Sequence, residues 1–150
     1  LVADHRANWL ESRMARLSGQ FAGILHVEVD AAHRDDLIAS LQQLENRGLQ
    51  VTFSASNALE STPLERLARL SLVGHDRPGI VRQLSRVFAQ LEVNVEELET
   101  STESAPMSGD LLFKAEAALK MPPHVSLDTL RAELERVGED LMVDITLEGA

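Results

Sequence analysis

The 150-residue chain has no cysteine. That excludes a disulfide framework, thiolate metal sites and cysteine nucleophiles, and it suits a reducing compartment. Positive charge is scarce: 14 lysines and arginines stand against 24 aspartates and glutamates, for a net charge of −10. Affinity for nucleic acid rests on neutralising phosphates with basic side chains, so direct binding to DNA or RNA is not expected. Apolar runs are short. None approaches the roughly 20 residues of a membrane-spanning helix, and no signal-peptide pattern opens the sequence. The expected location is cytoplasmic, away from the membrane.

Catalytic signatures are missing too. The five histidines (His5, His26, His33, His75 and His124) show neither H-x-H nor H-E-x-x-H spacing. There is no G-x-S-x-G elbow, no G-x-G-x-x-G fingerprint and no phosphate-binding loop. The only two lysines, Lys114 and Lys120, lie in or just after a predicted strand with nothing marking either as a nucleophile. A non-enzymatic protein without cofactor or metal is the expectation. The acidic run Glu96, Glu97, Glu99 and Glu103 reads as solvated edge charge, because carboxylates spread along a strand point to both faces and seldom converge on a cation.

What is present builds a packed core: 44% of residues are hydrophobic and 25% charged, with no long polar tract. From Leu67 to Val73 apolar side chains alternate as in a strand. After Gly74-His-Asp-Arg-Pro-Gly79, the residues Ile80, Val81, Leu84, Val87, Phe88 and Leu91 recur on one helical stripe, with Pro78 suited to the first turn. An extended stretch from Val93 to about Glu103 and an alternating one from Leu111 to Leu119 flank the turn residues 104–110. Ser126 is the expected N-cap of a helix with Leu127, Leu130, Leu134 and Val137 on its apolar face. Leu141, Val143, Ile145 and Leu147 then alternate as a last strand. The order β-α-β-β-α-β predicts an α+β fold, a ferredoxin-like antiparallel four-stranded sheet with both helices on one face.

The first half of the chain repeats this pattern. Leu1 to Trp9 aligns with Val87 to Val95, placing Asn8 on Asn94. A hairpin follows over Asn8–Leu17 and Phe21–Val29, then a helix with Leu37, Ile38, Leu41 and Leu44, stopped by Gly48. Leu49, Val51 and Phe53 are expected to alternate as its last strand. Residues 1–56 therefore read as a first module that starts inside its first helix, 57–65 as a linker and 66–150 as a complete second module. Without its first strand the first module would expose core and sheet edge, so the expectation is that upstream residues are missing from this sequence. Modules this small have little core of their own, and packing against a twin or a second chain is expected.

A β-α-β-β-α-β module carrying Gly74-His-Asp-Arg-Pro-Gly-Ile80 between strand and helix, with Asn94 opening the next strand, resembles the ACT domain, a regulatory amino-acid-binding module. Two such modules with no catalytic domain resemble the glycine cleavage system transcriptional repressor family. The resemblance implies a sensor of a small amino acid, glycine or serine, that acts through a partner transcription regulator as a homodimer. It implies a ligand held by Gly74, His75, Asp76, Arg77, Pro78, Gly79, Ile80 and Asn94, with Asn8, Trp9 and Leu10 as the facing wall.

The residues fit that role. The N-terminus of a helix offers unpaired N–H groups and partial positive charge to a carboxylate. Gly74 is expected to adopt unusual backbone angles, and Gly79 to admit a ligand to the first turn. Asp76 is placed to cap the helix or accept an ammonium group, and Gly79→Val is expected to block the site while sparing the fold. Two readings stay open beside this one: a ligand-free module that associates through sheet edges, and a regulatory fragment of a larger enzyme. The Asp-Arg-Pro-Gly turn is also a good strand-to-helix connection with no ligand at all.

Overall fold

The computed structural model describes residues 1–55 and 66–149, and the expected linker 57–65 lies outside them. The chain divides into two compact units, 1–59 and 60–150, and each is described by itself.

The second unit runs β3 (Arg66–His75), α2 (Ile80–Gln90), β4 (Asn94–Ser104), β5 (Leu111–Met121), α3 (Leu127–Leu141) and β6 (Val143–Gly149). Its sheet has the order β4-β5-β3-β6 with each neighbouring pair antiparallel. This is the α+β, ferredoxin-like arrangement expected from the sequence. Period-two alternation sends Ala68, Leu70 and Leu72 from β3 and Ala115, Ala117, Leu119 and Met121 from β5 to one face, all buried. Both helices cover that face with Ile80, Leu84, Val87 and Phe88 from α2 and Leu130, Leu134 and Leu141 from α3. Ser126 caps α3, its hydroxyl accepting from the Thr129 N–H at 3.1 Å.

Four sequence expectations change here. β3 continues through His75, so Gly74 and His75 belong to a strand rather than to a loop. Pro78 precedes the N-cap Gly79 and lies outside the first turn of α2. Val81 is 41% exposed and off the apolar stripe. Leu141 closes α3 instead of opening β6; Met142, at φ 54°, ends the helix and reverses the chain direction. Position 141 satisfies both the helical spacing of Leu130 and Leu134 and the alternation of Val143 and Ile145, and packing under α3 decides between them.

In the first unit, a short 3-10 turn (Ala3–His5) leads into β1 (Asn8–Leu17), β2 (Gln20–Glu28) and α1 (Ala31–Gln42), whose end continues as a 3-10 turn to Arg47. β1 and β2 pair across the two-residue turn Ser18-Gly19, both at positive φ as a tight hairpin of this hand requires. His5 ties the N-terminal turn to α1: one ring nitrogen is 2.8 Å from the Leu1 carbonyl and the other 2.9 Å from the Ser40 hydroxyl. Leu37 is the buried hydrophobic residue of this unit among the described residues.

The strand expected at Leu49, Val51 and Phe53 does not form. In the second unit the corresponding strand, β6, pairs with β3 alone. No strand among the described residues of the first unit takes the part of β3, so 49–53 has no ladder to join.

The repeat is visible in the backbone. Arg6 and Glu92, aligned by sequence, both have φ 54°, two residues before the strands that open at Asn8 and Asn94. Each strand then shifts register at the same place, between Trp9 and Glu11 in β1 and between Val95 and Glu97 in β4. The helix-ending residues Gly48 and Met142, both in the left-handed region, match as well, which sets Leu49 on Val143.

Candidate functional site

The candidate site lies at the end of β3, where four residues, Asp76-Arg-Pro-Gly79, carry the chain into α2. The turn is anchored on one side by the Asp76 N–H, which donates to the Leu111 carbonyl at 2.8 Å. On the other side Gly79 stands at the N-cap with φ 99°, a conformation reserved in practice for glycine. Ile80, the first helical residue, plugs the core at 2% exposure and fixes where the helix begins.

The N–H groups of Ile80, Val81 and Arg82 precede the first intrahelical donor, the Gln83 N–H, which reaches back to the Gly79 carbonyl at 3.0 Å. No side chain caps them, so Asp76 is not the cap that the sequence proposed. His75, Asp76, Pro78 and Gly79 are exposed and Arg77 is half-buried. Among the described residues the side chains of His75, Asp76 and Arg77 make no hydrogen bond or ion pair. The arrangement offers an anion three backbone donors and a guanidinium, and an ammonium group one carboxylate.

The role expected of Gly74 changes. Gly74 pairs within the sheet, opposite Phe113 and Val143, and its φ is not positive. A Cβ there would collide with Val143, 2.8 Å from its Cβ and 3.0 Å from its Cα, so Gly74 is required by close strand packing. At Gly79 a Cβ would meet open space, and the backbone angle of φ 99° itself calls for glycine. A valine at 79 would therefore strain the turn as well as fill it, and Gly79→Val does not test ligand binding cleanly.

Asn94 is not brought to this turn within its module. β4 runs parallel to β3, and Asn94 stands opposite Lys120 while His75 stands opposite Leu112. Eight residues of β5 separate the two, roughly 27 Å at strand rise. The Asn94 amide instead donates to the Glu96 carboxylate at 3.1 Å. Asn8, Trp9 and Leu10 open the equivalent strand of the first unit, all exposed, with Trp9 at 50%.

The acidic residues of β4 lie along the exposed edge of the sheet; Glu103 pairs with Lys114 at 2.7 Å. Among the described residues no group of histidine, aspartate and glutamate side chains is placed to hold a metal ion. Nor is any helix there long and apolar enough to cross a membrane.

The β-α-β-β-α-β sheet with an open turn after its first strand has the ferredoxin-like arrangement of the ACT-type fold, complete in the second unit and partial in the first. No family model matches the chain. A UPF0237 protein of Methanopyrus kandleri is 33% identical over 81 residues, 54% of this chain and 84% of that protein. The chain belongs to the UPF0237 family.

An unknown protein from Galdieria sulphuraria, solved as a crystal structure, is 32% identical, with 99% of this chain and 85% of that chain superposed at a TM-score of 0.78. A crystal structure that carries the provisional name of a glycine cleavage system transcriptional repressor matches all of this chain and 85% of its own at a TM-score of 0.72. Identity there is 16%, so the likeness is one of fold.

Proposed function

We propose that this protein is a non-enzymatic sensor of a small amino acid, glycine or serine, which acts in the cytoplasm as a homodimer and modulates a partner transcription regulator. The observation that carries this reading is the Asp76–Gly79 turn, where three unpaired helix N–H groups stand beside an unpaired Arg77 and Asp76. A zwitterion has matching ends: its carboxylate meets the N–H groups of Ile80 and Val81 and the Arg77 guanidinium, and its ammonium group meets Asp76. His75 and Pro78 line the approach. The facing wall comes from a strand start such as Asn8-Trp9-Leu10, or the one that opens at Asn94, supplied by a neighbouring module.

The regulatory role draws support from the shared fold with the provisionally named repressor. The net charge of −10 favours action through a partner protein over contact with DNA.

Thermal unfolding with each of the twenty amino acids at millimolar concentration tests the proposal. A ligand at 100 times its dissociation constant adds about 2.7 kcal/mol of stability, well above detection. The expected result is a selective rise with glycine or serine. The rise should vanish in the Asp76→Ala, Arg77→Ala double variant, whose unliganded transition is unchanged because neither side chain holds the fold together. A second reading, a ligand-free module that associates through sheet edges, is favoured by the open β4 edge, exposed along its whole length. No rise with any amino acid selects that reading.

A further inference from the structure

The two helices of the second unit turn polar faces away from the sheet, and these faces differ in charge. α2 is the one helix among the described residues without an acid; Arg82 and Arg86 stand exposed on it, beside the small residues Ser85 and Ala89. α3 exposes Glu135 and Glu139, with Ala132 nearby on the same outward side. Its two arginines are already engaged, Arg131 with Asp128 and Arg136 with Glu133, each at 3.1 Å. Among the described residues the side chains of Arg82, Arg86, Glu135 and Glu139 have no hydrogen bond or ion pair.

The two faces match in spacing as well as in sign. Arg82 and Arg86 are four residues apart, as are Glu135 and Glu139, so each pair shares one face of its helix, about 6 Å apart along the axis. α2 carries the chain from β3 back to β4, which runs parallel to β3, while α3 does the same between β5 and β6, both antiparallel to β3. The two helices therefore run in opposite directions. A two-fold rotation about an axis along the helices sets α2 of one copy on α3 of another, again antiparallel. In that arrangement Arg82 meets Glu139 and Arg86 meets Glu135. The same register sets Ala89 on Ala132, whose small side chains let the helices approach closely.

We propose that the helix layer of the second unit packs face to face on the same layer of a second copy, placing four helices between two sheets. The contact is isologous, so each of the two ion pairs occurs twice. Stacking α2 on α2 would set arginine against arginine, and α3 on α3 glutamate against glutamate. On a chain of net charge −10, a basic face with no internal partner is where a second acidic copy is attracted rather than repelled. This contact gives the homodimer proposed above an interface, and it does not involve the amino-acid ligand.

Sedimentation of four samples of the full chain tests the contact: wild type, the double variant Arg82→Glu with Arg86→Glu, the double variant Glu135→Arg with Glu139→Arg, and a mixture of the two variants. The wild type should dimerise in the micromolar range, more weakly as salt rises. Each variant alone should associate roughly tenfold more weakly, because attractions across the interface become repulsions. Mixing them should restore wild-type association, since the glutamates introduced on α2 of one chain then meet the arginines introduced on α3 of the other, and the second contact is native. A wild type that stays monomeric, variants that associate as the wild type does, or a mixture that is not restored each overturns the proposal. Variants as dimeric as the wild type would reject this face and leave the homodimer standing. Unchanged circular dichroism spectra are expected, since all four side chains are exposed. The α3 variant should keep any amino-acid-dependent rise in unfolding temperature, so the two readings fail separately.

Discussion

Phe21 and Phe113 occupy the same place in two copies of one hairpin, yet Phe21 is 61% exposed while Phe113 packs against a finished core. The same holds along the strand. Leu25 and Val27 of β2 are only half-buried, while their counterparts Ala117 and Leu119 in β5 are closed off, Leu119 completely. The two hairpins share their starting asparagine and their bulge, so local pairing does not explain the difference. In the second unit β3 hydrogen-bonds along β5 and α2 lies over it; among the described residues of the first unit nothing takes either part. In the second unit the burial of the hairpin comes from β3 beside it and the helices over it.

Breaking that contrast gives the largest expected effect. Leu134→Ala empties a site 1% exposed at the centre of the second unit and should cost about 2–5 kcal/mol in urea unfolding. Phe21→Ala removes a larger side chain from the first unit and should cost less than about 1 kcal/mol. Equal losses would mean that the hairpin face is covered in solution.

Gly74→Ala comes next. The added methyl meets Val143 backbone and side chain inside the sheet, and a loss of about 1–3 kcal/mol is expected from overpacking. Ser126→Ala should lower stability by about 1 kcal/mol through the lost cap on α3. Val81→Ser, on a residue that the spacing alone places on the apolar stripe, should move stability by no more than about 0.5 kcal/mol, and a larger loss would put position 81 back in the core.

These cases mark what the sequence carries and what it does not. Alternation and helical spacing locate every element of the second unit except β4, which reads only as an extended stretch, and the Asn8-to-Asn94 alignment finds a repeat that recurs down to matching φ values and bulges. Patterns of that kind depend on near neighbours in the chain. The expected strand at Leu49–Phe53 fails because pairing depends on a partner distant in sequence, and alternation is silent about whether one exists. Leu141 is ambiguous because one position can satisfy period two and period 3.6 together.

At the candidate site, the turn itself is legible in Asp-Arg-Pro-Gly. The purpose of Gly74 is not, since only the approach of Val143 reveals it. Asn94 sits near the turn in sequence but at the far end of the sheet, because an eleven-residue helix carries the chain back before β4 begins.

The most direct test of the proposed amino-acid sensing is amide hydrogen exchange on the full chain with and without a saturating mixture of glycine and serine. Slowed exchange is expected at Asp76 to Arg82, centred on the unpaired N–H groups of α2, with no comparable change at the N-terminus of α1, which has no such turn before it. Protection that leaves 76–82 untouched, or no protection anywhere, would contradict it.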